Sequence, residues 1–286
     1  PIIKLLNQEL AASKISKISG MLNGTSNFIL SNMEEGMEFE PTLKLAQEKG
    51  YAEPDPSFDI EGTDAAHKIG ILSSLAFGSS LPPKDFYIEG INGIHKDDFK
   101  YAYEMGYTIK HLAIAKSTNN SIDLRAHPSL VKLDSYLANL KGVRNGIEVE
   151  TDLLGTLHIA GSGAGQEATA SGVISDLIYL SDSKIREVNN INETIELIDF
   201  IDLDFQYYFY IEASDVSGVM ASISSIFANK DVSIESISQK ENLNDDLVPI
   251  IIITDPFKEK DYQELVDNLL ELNSVNKIRS IRIEPQ

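Results

Sequence analysis

The sequence predicts an α+β protein in two parts, a mixed region over residues 1–182 and a smaller βαββαβ region over 206–286, joined by a spacer over 183–205. Three observations predict it. Apolar periods of helix and strand alternate irregularly to about residue 180, then sharpen into a regular strand–helix–strand–strand–helix–strand order from Gln206. An acidic stretch of weak period separates them. At 286 residues the chain has the length of about two domains.

Residues 4–12 read as a short helix, and 14–21 as a strand ending in the polar turn Asn23-Gly24-Thr25. Residues 27–35 and 41–49 are helical, the second opening with Pro41, whose fixed φ suits a first turn. Residues 63–77 form a helix with Thr63 as its N-cap. After Pro82-Pro83 come a helix over 96–105 and strands over 111–115, 121–128, 146–153 and 155–160. A helix over 167–180 closes the first region. In the second, 207–212 is an apolar strand, and Val216, Val219, Met220, Ile223, Ile226 and Phe227 recur at helical spacing. Residues 232–239 alternate as a strand, 241–246 make a polar turn, and 248–254 are strongly β-branched. Tyr262, Leu265, Val266, Leu269 and Leu270 mark a second amphipathic helix, and 278–283 a last strand. This order is that of the split-βαβ, ferredoxin-like arrangement.

A net charge of −20 argues against binding to nucleic-acid phosphates or to anionic membranes. No apolar run reaches the roughly 18 residues of a membrane span, and no signal peptide is visible. The absence of cysteine removes disulfides, thiolate nucleophiles and thiolate metal sites, and fits a cytoplasmic protein. The chain opens on Pro1 and an apolar stretch, which suggests a fragment of a longer protein.

The densest polar cluster runs from Gly50 through Tyr51, Glu53, Asp55, Asp59, Glu61 and Asp64 to Lys68. Pro54, Pro56 and Gly62 keep its first part out of helix. Asp64 and Lys68, four apart, then share one face at the edge of the buried arc of Ala65, Ile69, Leu72, Leu75 and Ala76. A lysine there is partly desolvated, which favours the neutral amine and suits it to proton transfer. An ordinary surface ion pair has the same spacing. Clustered carboxylates also suit a divalent metal, but the spacing matches no EF-hand loop. The glycine-rich Gly161-Ser-Gly163-Ala-Gly165 follows a strand and precedes a helix, where backbone N–H groups meet phosphates. It lacks the spacing of a dinucleotide fingerprint, and a turn that only packs closely explains it equally.

Four segments strongly resemble homoserine dehydrogenase, and they stand in that family's order. They are Ser19-Gly-Met-Leu-Asn23-Gly24-Thr25-Ser-Asn27, Gly50-Tyr-Ala-Glu53-Pro-Asp55-Pro, Glu61-Gly-Thr-Asp64-Ala-Ala-His-Lys68 and Gly161-Ser-Gly-Ala-Gly165-Gln-Glu-Ala-Thr169. The resemblance covers residues 1 to about 182 and implies interconversion of L-homoserine and L-aspartate 4-semialdehyde with NADP or NAD, in threonine, methionine and isoleucine biosynthesis. It places the proton donor and acceptor on Lys68, with Asp64 contacting homoserine and holding the lysine. It implies that Glu53 binds the substrate ammonium. Gly24, Thr25 and Tyr51 would line the substrate pocket, supported by Asp59. Gly50, Glu53, Gly163 and Gly165 would meet the dinucleotide. No metal site is implied within the chain, since the family's monovalent-cation segment would precede Pro1. Its Rossmann domain would also precede Pro1, so the chain alone is expected to be inactive. The stretch Gly165-Gln-Glu-Ala-Thr169 departs from the family's commoner Gly-Gly-x-Pro-Thr.

The tail resembles an ACT domain, an amino-acid sensor, through Asp215-Val-Ser-Gly218-Val219-Met220 at a strand-to-helix junction. Asp215 is equally explained as a helix N-cap. The resemblance implies L-threonine as effector, bound near Asp215, Gly218, Val219 and Met220, in a homodimer or tetramer. A second reading takes the chain as an amino-acid-binding, dimerising module without turnover of its own.

Overall fold

The computed structural model describes residues 1–78, 86–119, 121–163, 165–182, 195–240 and 246–285. Pro82-Pro83, residues 183–194 of the spacer and most of the 241–246 turn lie outside the described residues. The chain mixes helix and strand and divides into two compact units. The first holds Pro1–Lys96, Lys110–Pro128 and Leu133–Ile198; the second holds Asp97–Ile109, Ser129–Lys132 and Asp199–Gln286.

The first unit opens with α1 (Ile2–Lys4) and a π turn over Leu5–Glu9, where one regular helix was expected. Then come β1 (Ile15–Met21), α2 (Gly24–Glu34), α3 (Phe39–Glu48), the single turn α4 (Ser57–Ile60) and α5 (Thr63–Phe77). Further along the chain come β2 (Tyr87–Ile88), then α6 (Lys96–Glu104), which from Asp97 on belongs to the second unit, then β3 (Tyr107–Thr118) and β4 (Ser121–Lys132), of which Lys110–Thr118 and Ser121–Pro128 lie in the first unit, and β5 (Arg144–Thr151), β6 (Gly155–Ser162), α7 (Gln166–Asp182) and β7 (Glu196–Leu197). Strands run in the order β6-β5-β1-β3-β4, with β2 and β7 pairing parallel to β4. The spacer therefore contains a strand: β7 sets Leu197 opposite Ile122, and Ile195 and Leu197 pack on the core.

The core of this unit is the buried arc of α5 laid against the sheet. Ala65, Ile69 and Leu72 meet Ile18 of β1, Ala113 of β3 and Val149 of β5. Each of the buried Ile, Leu and Val side chains contributes about 1.5–3 kcal/mol. The N-cap of α5 is Gly62 rather than Thr63, because the chain must turn there with φ +85°. A Cβ on Gly62 would lie 2.9 Å from His111 Nε2. Lys110 is buried in the same unit; its Nζ donates to Leu140 O at 3.1 Å, and burial pushes its amine down to about 8. The helix α7 carries Val173, Ile174, Leu177 and Ile178 on its exposed surface.

The second unit adds β8 (Asp204–Ser214), α8 (Val219–Asn229), β9 (Ile234–Gln239), β10 (Leu247–Thr254), β11 (Phe257–Lys258), α9 (Glu259–Leu270) and β12 (Val275–Ile283). Strands run β12-β8-β10-β9, each antiparallel to its neighbour. Odd-numbered β8 residues, among them Tyr207, Phe209 and Ile211, pack on Ile223 and Phe227 of α8 and on Leu265 and Leu269 of α9. Even-numbered residues face the other way, as strand alternation requires. There Tyr210 packs on Tyr101 of α6 with ring centroids 5.9 Å apart. Arg279 of β12 grips the fully buried Asp98 bidentately, with Nε at 2.9 Å from Oδ2 and Nη2 at 2.9 Å from Oδ1. Residues 97–109 thus belong to this unit although they lie far ahead of 206.

Candidate active site

The site is built where β1 ends. Asn23, in extended conformation, caps α2: its Oδ1 accepts from Ser26 N at 2.8 Å. That cap leaves its amide nitrogen free to point outward from the helix start. Nδ2 donates to Asp59 Oδ1 at 2.7 Å and to Asp64 Oδ2 at 2.8 Å. One buried side chain therefore draws two carboxylates together from two elements, α4 and α5. Ser26 adds a second tie, donating from Oγ to Asp59 O at 3.0 Å.

Lys68 completes the cluster. Its Nζ donates to Asp64 Oδ2 at 2.6 Å and to the Leu22 carbonyl at 2.9 Å. An ammonium has three donors, so these two bonds leave one for a ligand. Asp64 Oδ2 already accepts from Asn23 and Lys68, which leaves Oδ1 for the same purpose. The side chain of Lys68 is 44% exposed and that of Asp64 19% exposed. Lys68 is thus only partly withdrawn from solvent, and two fixed acceptors set the position of its Nζ. The Leu22 carbonyl also accepts from Asn145 Nδ2 at 3.1 Å, so strand β5 reaches the same oxygen.

The acidic loop is tied to this centre through Thr25. Its Oγ1 donates to Tyr51 O at 2.7 Å, and the Tyr51 ring meets Phe28 edge-on at 5.0 Å. Glu53 is exposed, with its backbone carbonyl 3.2 Å from Gln47 Nε2. The Ser57 hydroxyl and backbone N–H hold the Asp55 carboxyl below the usual range. Gly24 packs closely, with a built Cβ 3.1 Å from Val143 O. Gly50 and Gly165 are left-handed, with φ +73° and +103°, and have open space where a side chain would project. Gly163 differs: a Cβ there would meet Asn145 Nδ2 at 2.0 Å. Among the described residues no cluster of three or more His, Asp or Glu side chains is placed to hold a metal ion.

Lys68, Asp64, Asp59, Thr25, Gly24 and Tyr51 thus converge in the first unit. Asp215, Gly218, Val219 and Met220 lie in the second. There Gly218, with φ +95°, takes the N-cap position of α8 expected for Asp215. Asp215 instead receives Gln239 Nε2 at 3.5 Å. Val219 is buried in the core and Met220 packs against it. Sequence reasoning missed Asn23, Asn145 and the Leu22 carbonyl. Asn23 had a signal, as an Asn directly before a helix. Asn145 had none, and a backbone carbonyl leaves no mark in a sequence.

A lysine held between a carboxylate and a carbonyl, with a donor to spare and unfilled carboxylate oxygens beside it, is an arrangement that can hydrogen-bond a small polar molecule and exchange a proton with it. Comparison with known proteins adds the chemistry. The family model for homoserine dehydrogenase matches residues 1–178. Homoserine dehydrogenase of Neisseria gonorrhoeae is 39% identical over 298 residues, covering 99% of this chain and 68% of its own length. The crystal structure of a homoserine dehydrogenase from Thiobacillus denitrificans matches with a TM-score of 0.90 and 38% identity, over 99% of this chain and 67% of that one. A hyperthermophilic archaeal homoserine dehydrogenase, solved in complex with NADPH, matches with a TM-score of 0.54 and 28% identity over 65% of this chain and 54% of that one. The chain belongs to the homoserine dehydrogenase family, oxidoreductases that act on a CH–OH group. Among the described residues no helix is long and apolar enough to cross a membrane.

Proposed function

We propose that this chain carries the substrate-binding and proton-transfer groups for interconversion of L-homoserine and L-aspartate 4-semialdehyde, with Lys68 moving the proton. One observation carries the reading: Lys68 Nζ is fixed 2.6 Å from Asp64 and 2.9 Å from Leu22 O, with one donor position unfilled. In the reducing direction that ammonium gives its proton to the aldehyde oxygen as the alcohol forms. In the oxidising direction the neutral amine takes it back. Asp64 stabilises the ammonium and offers Oδ1 to the substrate hydroxyl. Asn23 keeps Asp64 and Asp59 from swinging apart. The exposed Glu53 suits the substrate's α-ammonium, since a cation leaving water needs a carboxylate.

Bound NADP or NAD supplies the hydride acceptor or donor. Gly50 and Gly165 fit such a partner, because nothing crowds the position a Cβ would take at either. The longer relatives extend over sequence that this chain does not cover, and we assign most of the dinucleotide contacts to that part. By this reading the chain alone turns over poorly and binds dinucleotide weakly.

The second unit is, in this reading, an ACT domain of ferredoxin-like order. Its βαββαβ sequence and its antiparallel order β12-β8-β10-β9 support that. L-threonine is the effector, held near Asp215, Gly218, Val219 and Met220 by paired units in a dimer or tetramer, so that the cytoplasmic enzyme is restrained by a product of its pathway. Titration calorimetry giving no heat with threonine would remove this part of the proposal.

The experiment for the central claim is Lys68→Ala in the full-length enzyme. Loss of a positioned acid–base group lowers kcat by about 10²–10⁴-fold, and homoserine binding stays measurable. Near-normal turnover would sink the assignment.

A further inference from the structure

The Leu22 carbonyl accepts two hydrogen bonds, from Lys68 Nζ at 2.9 Å and from Asn145 Nδ2 at 3.1 Å. A carbonyl oxygen has two lone pairs, so the two donors divide it between them. The orientation of Asn145 is forced: turning its amide over would set Oδ1 against Leu22 O, two acceptors in contact. Its Oδ1 is buried with no hydrogen-bond partner among the described residues. The amide nitrogen that makes this bond is also the atom closest to Gly163, where a Cβ would lie 2.0 Å from Nδ2, 2.5 Å from Cγ and 3.1 Å from Oδ1. Asn145 therefore makes one side-chain hydrogen bond, with the Gly163 backbone packed against the donating nitrogen. Nothing in its sequence surroundings marks it, yet it is the contact through which β5 and the glycine turn reach the lysine's anchor.

We propose that Asn145 is a positioning residue for Lys68, occupying one lone pair of the Leu22 carbonyl so that the lysine ammonium is directed to the other, with Gly163 present to make room for it. The glycine at 163 then serves the acid–base centre through Asn145. The inference rests on Lys68 being the proton-moving group.

The test is a set of variants of the full-length enzyme, assayed by homoserine oxidation. Asn145→Ala removes the donor. Asn145→Asp keeps the shape against Gly163 while turning an acceptor toward Leu22 O, and serves if the alanine variant fails to fold. Gly163→Ala pushes the amide aside without touching Asn145 chemically. Misplacing a reacting group by about 1 Å costs about 100-fold, so each variant is expected to lose about 10- to 100-fold in kcat. KM for homoserine is expected to stay within about twofold, since uniform binding is untouched. The double variant Asn145→Ala/Gly163→Ala is expected to be no worse than Asn145→Ala alone, because the clash at 163 has gone. Wild-type kcat in both Asn145 variants overturns the inference, as does a double variant whose losses multiply. Lys68→Ala is assayed alongside: if it turns over normally, the reading beneath the inference fails and the inference falls with it. If Lys68→Ala is inactive while the Asn145 variants are normal, only the inference falls.

Discussion

Asn23→Asp separates the two jobs that Asn23 performs. Aspartate caps a helix as well as asparagine, so the bond from Ser26 N, 2.8 Å in the native protein, survives. Both donors are lost. In their place stands a carboxylate oxygen about where Nδ2 was, 2.7 Å from Asp59 Oδ1 and 2.8 Å from Asp64 Oδ2. Carboxylates that close cannot all ionise, so the folded variant holds a proton that the unfolded chain releases near pH 3.9, the ordinary aspartate value of about that size. Each pKa unit of that difference costs about 1.4 kcal/mol at neutral pH, and a rise of about two units, ordinary for carboxylates sharing a site, costs about 2.7 kcal/mol. The sign follows from proton counting. Between the unfolded and the folded pKa the native state binds more protons, so stability falls as pH rises through that window. Urea unfolding followed by far-UV circular dichroism, for wild type and variant at pH 5 and pH 7.5, measures the difference directly. The variant's deficit is expected to be larger at pH 7.5, by about 1–3 kcal/mol. A deficit of equal size at both pH values would refute the reasoning, because it would place the three groups too far apart to share a proton.

Three further outcomes follow from the packing. Gly62→Ala demands φ +85° of a residue with a Cβ and sets that atom 2.9 Å from His111 Nε2, so a loss of about 1–3 kcal/mol is expected by thermal unfolding. Asp98→Ala leaves the half-buried Arg279 guanidinium without its carboxylate and should cost about 2–4 kcal/mol, somewhat less than for a fully buried pair, while Asp98→Ala/Arg279→Leu should recover most of it. A double variant no more stable than the single one would show that the charge is not what matters there. Burial lowers Lys110 from an ordinary 10.5 to about 8, so the unfolded state binds more protons across that window and stability rises with pH through it. Lys110→Met should remove that rise, worth roughly 3 kcal/mol between its ends, and a wild-type slope left intact in the variant would count against Lys110 as its source.

The range of helix α5, Thr63–Phe77, was legible because its apolar arc has an uninterrupted 3.6 period, but its cap was not, since Gly62 rather than Thr63 holds that position. The two helices of the second unit were legible as periods, but the structure moved their starts, α8 to Val219 and α9 to Glu259. Strand ends were less visible. β4 runs on to Lys132 because Ser129 and Leu130 pair with Arg282 and Ile283 of β12, a partner no local window contains. α2 begins at Gly24, not near 27, because Asn23 caps it. Likewise 195–198 looked like spacer until β4 gave β7 a neighbour.

What the sequence by itself determined is whatever depends on spacing along the chain. That covers the helix periods, the βαββαβ order of the tail, the i,i+4 relation of Asp64 and Lys68, and the four segments that mark the family. What only the tertiary structure decided is whatever depends on groups far apart meeting. Asp98 is held by Arg279, 181 residues away in sequence. Spacing alone left the Asp64–Lys68 pair no different from a surface ion pair. The difference is made by the Leu22 carbonyl 46 residues before Lys68 and by the Asn23 amide 41 residues before Asp64. Neither leaves a local period, because a backbone carbonyl belongs to every residue and a single asparagine has no spacing. The fold alone aims them at one ammonium and its carboxylate.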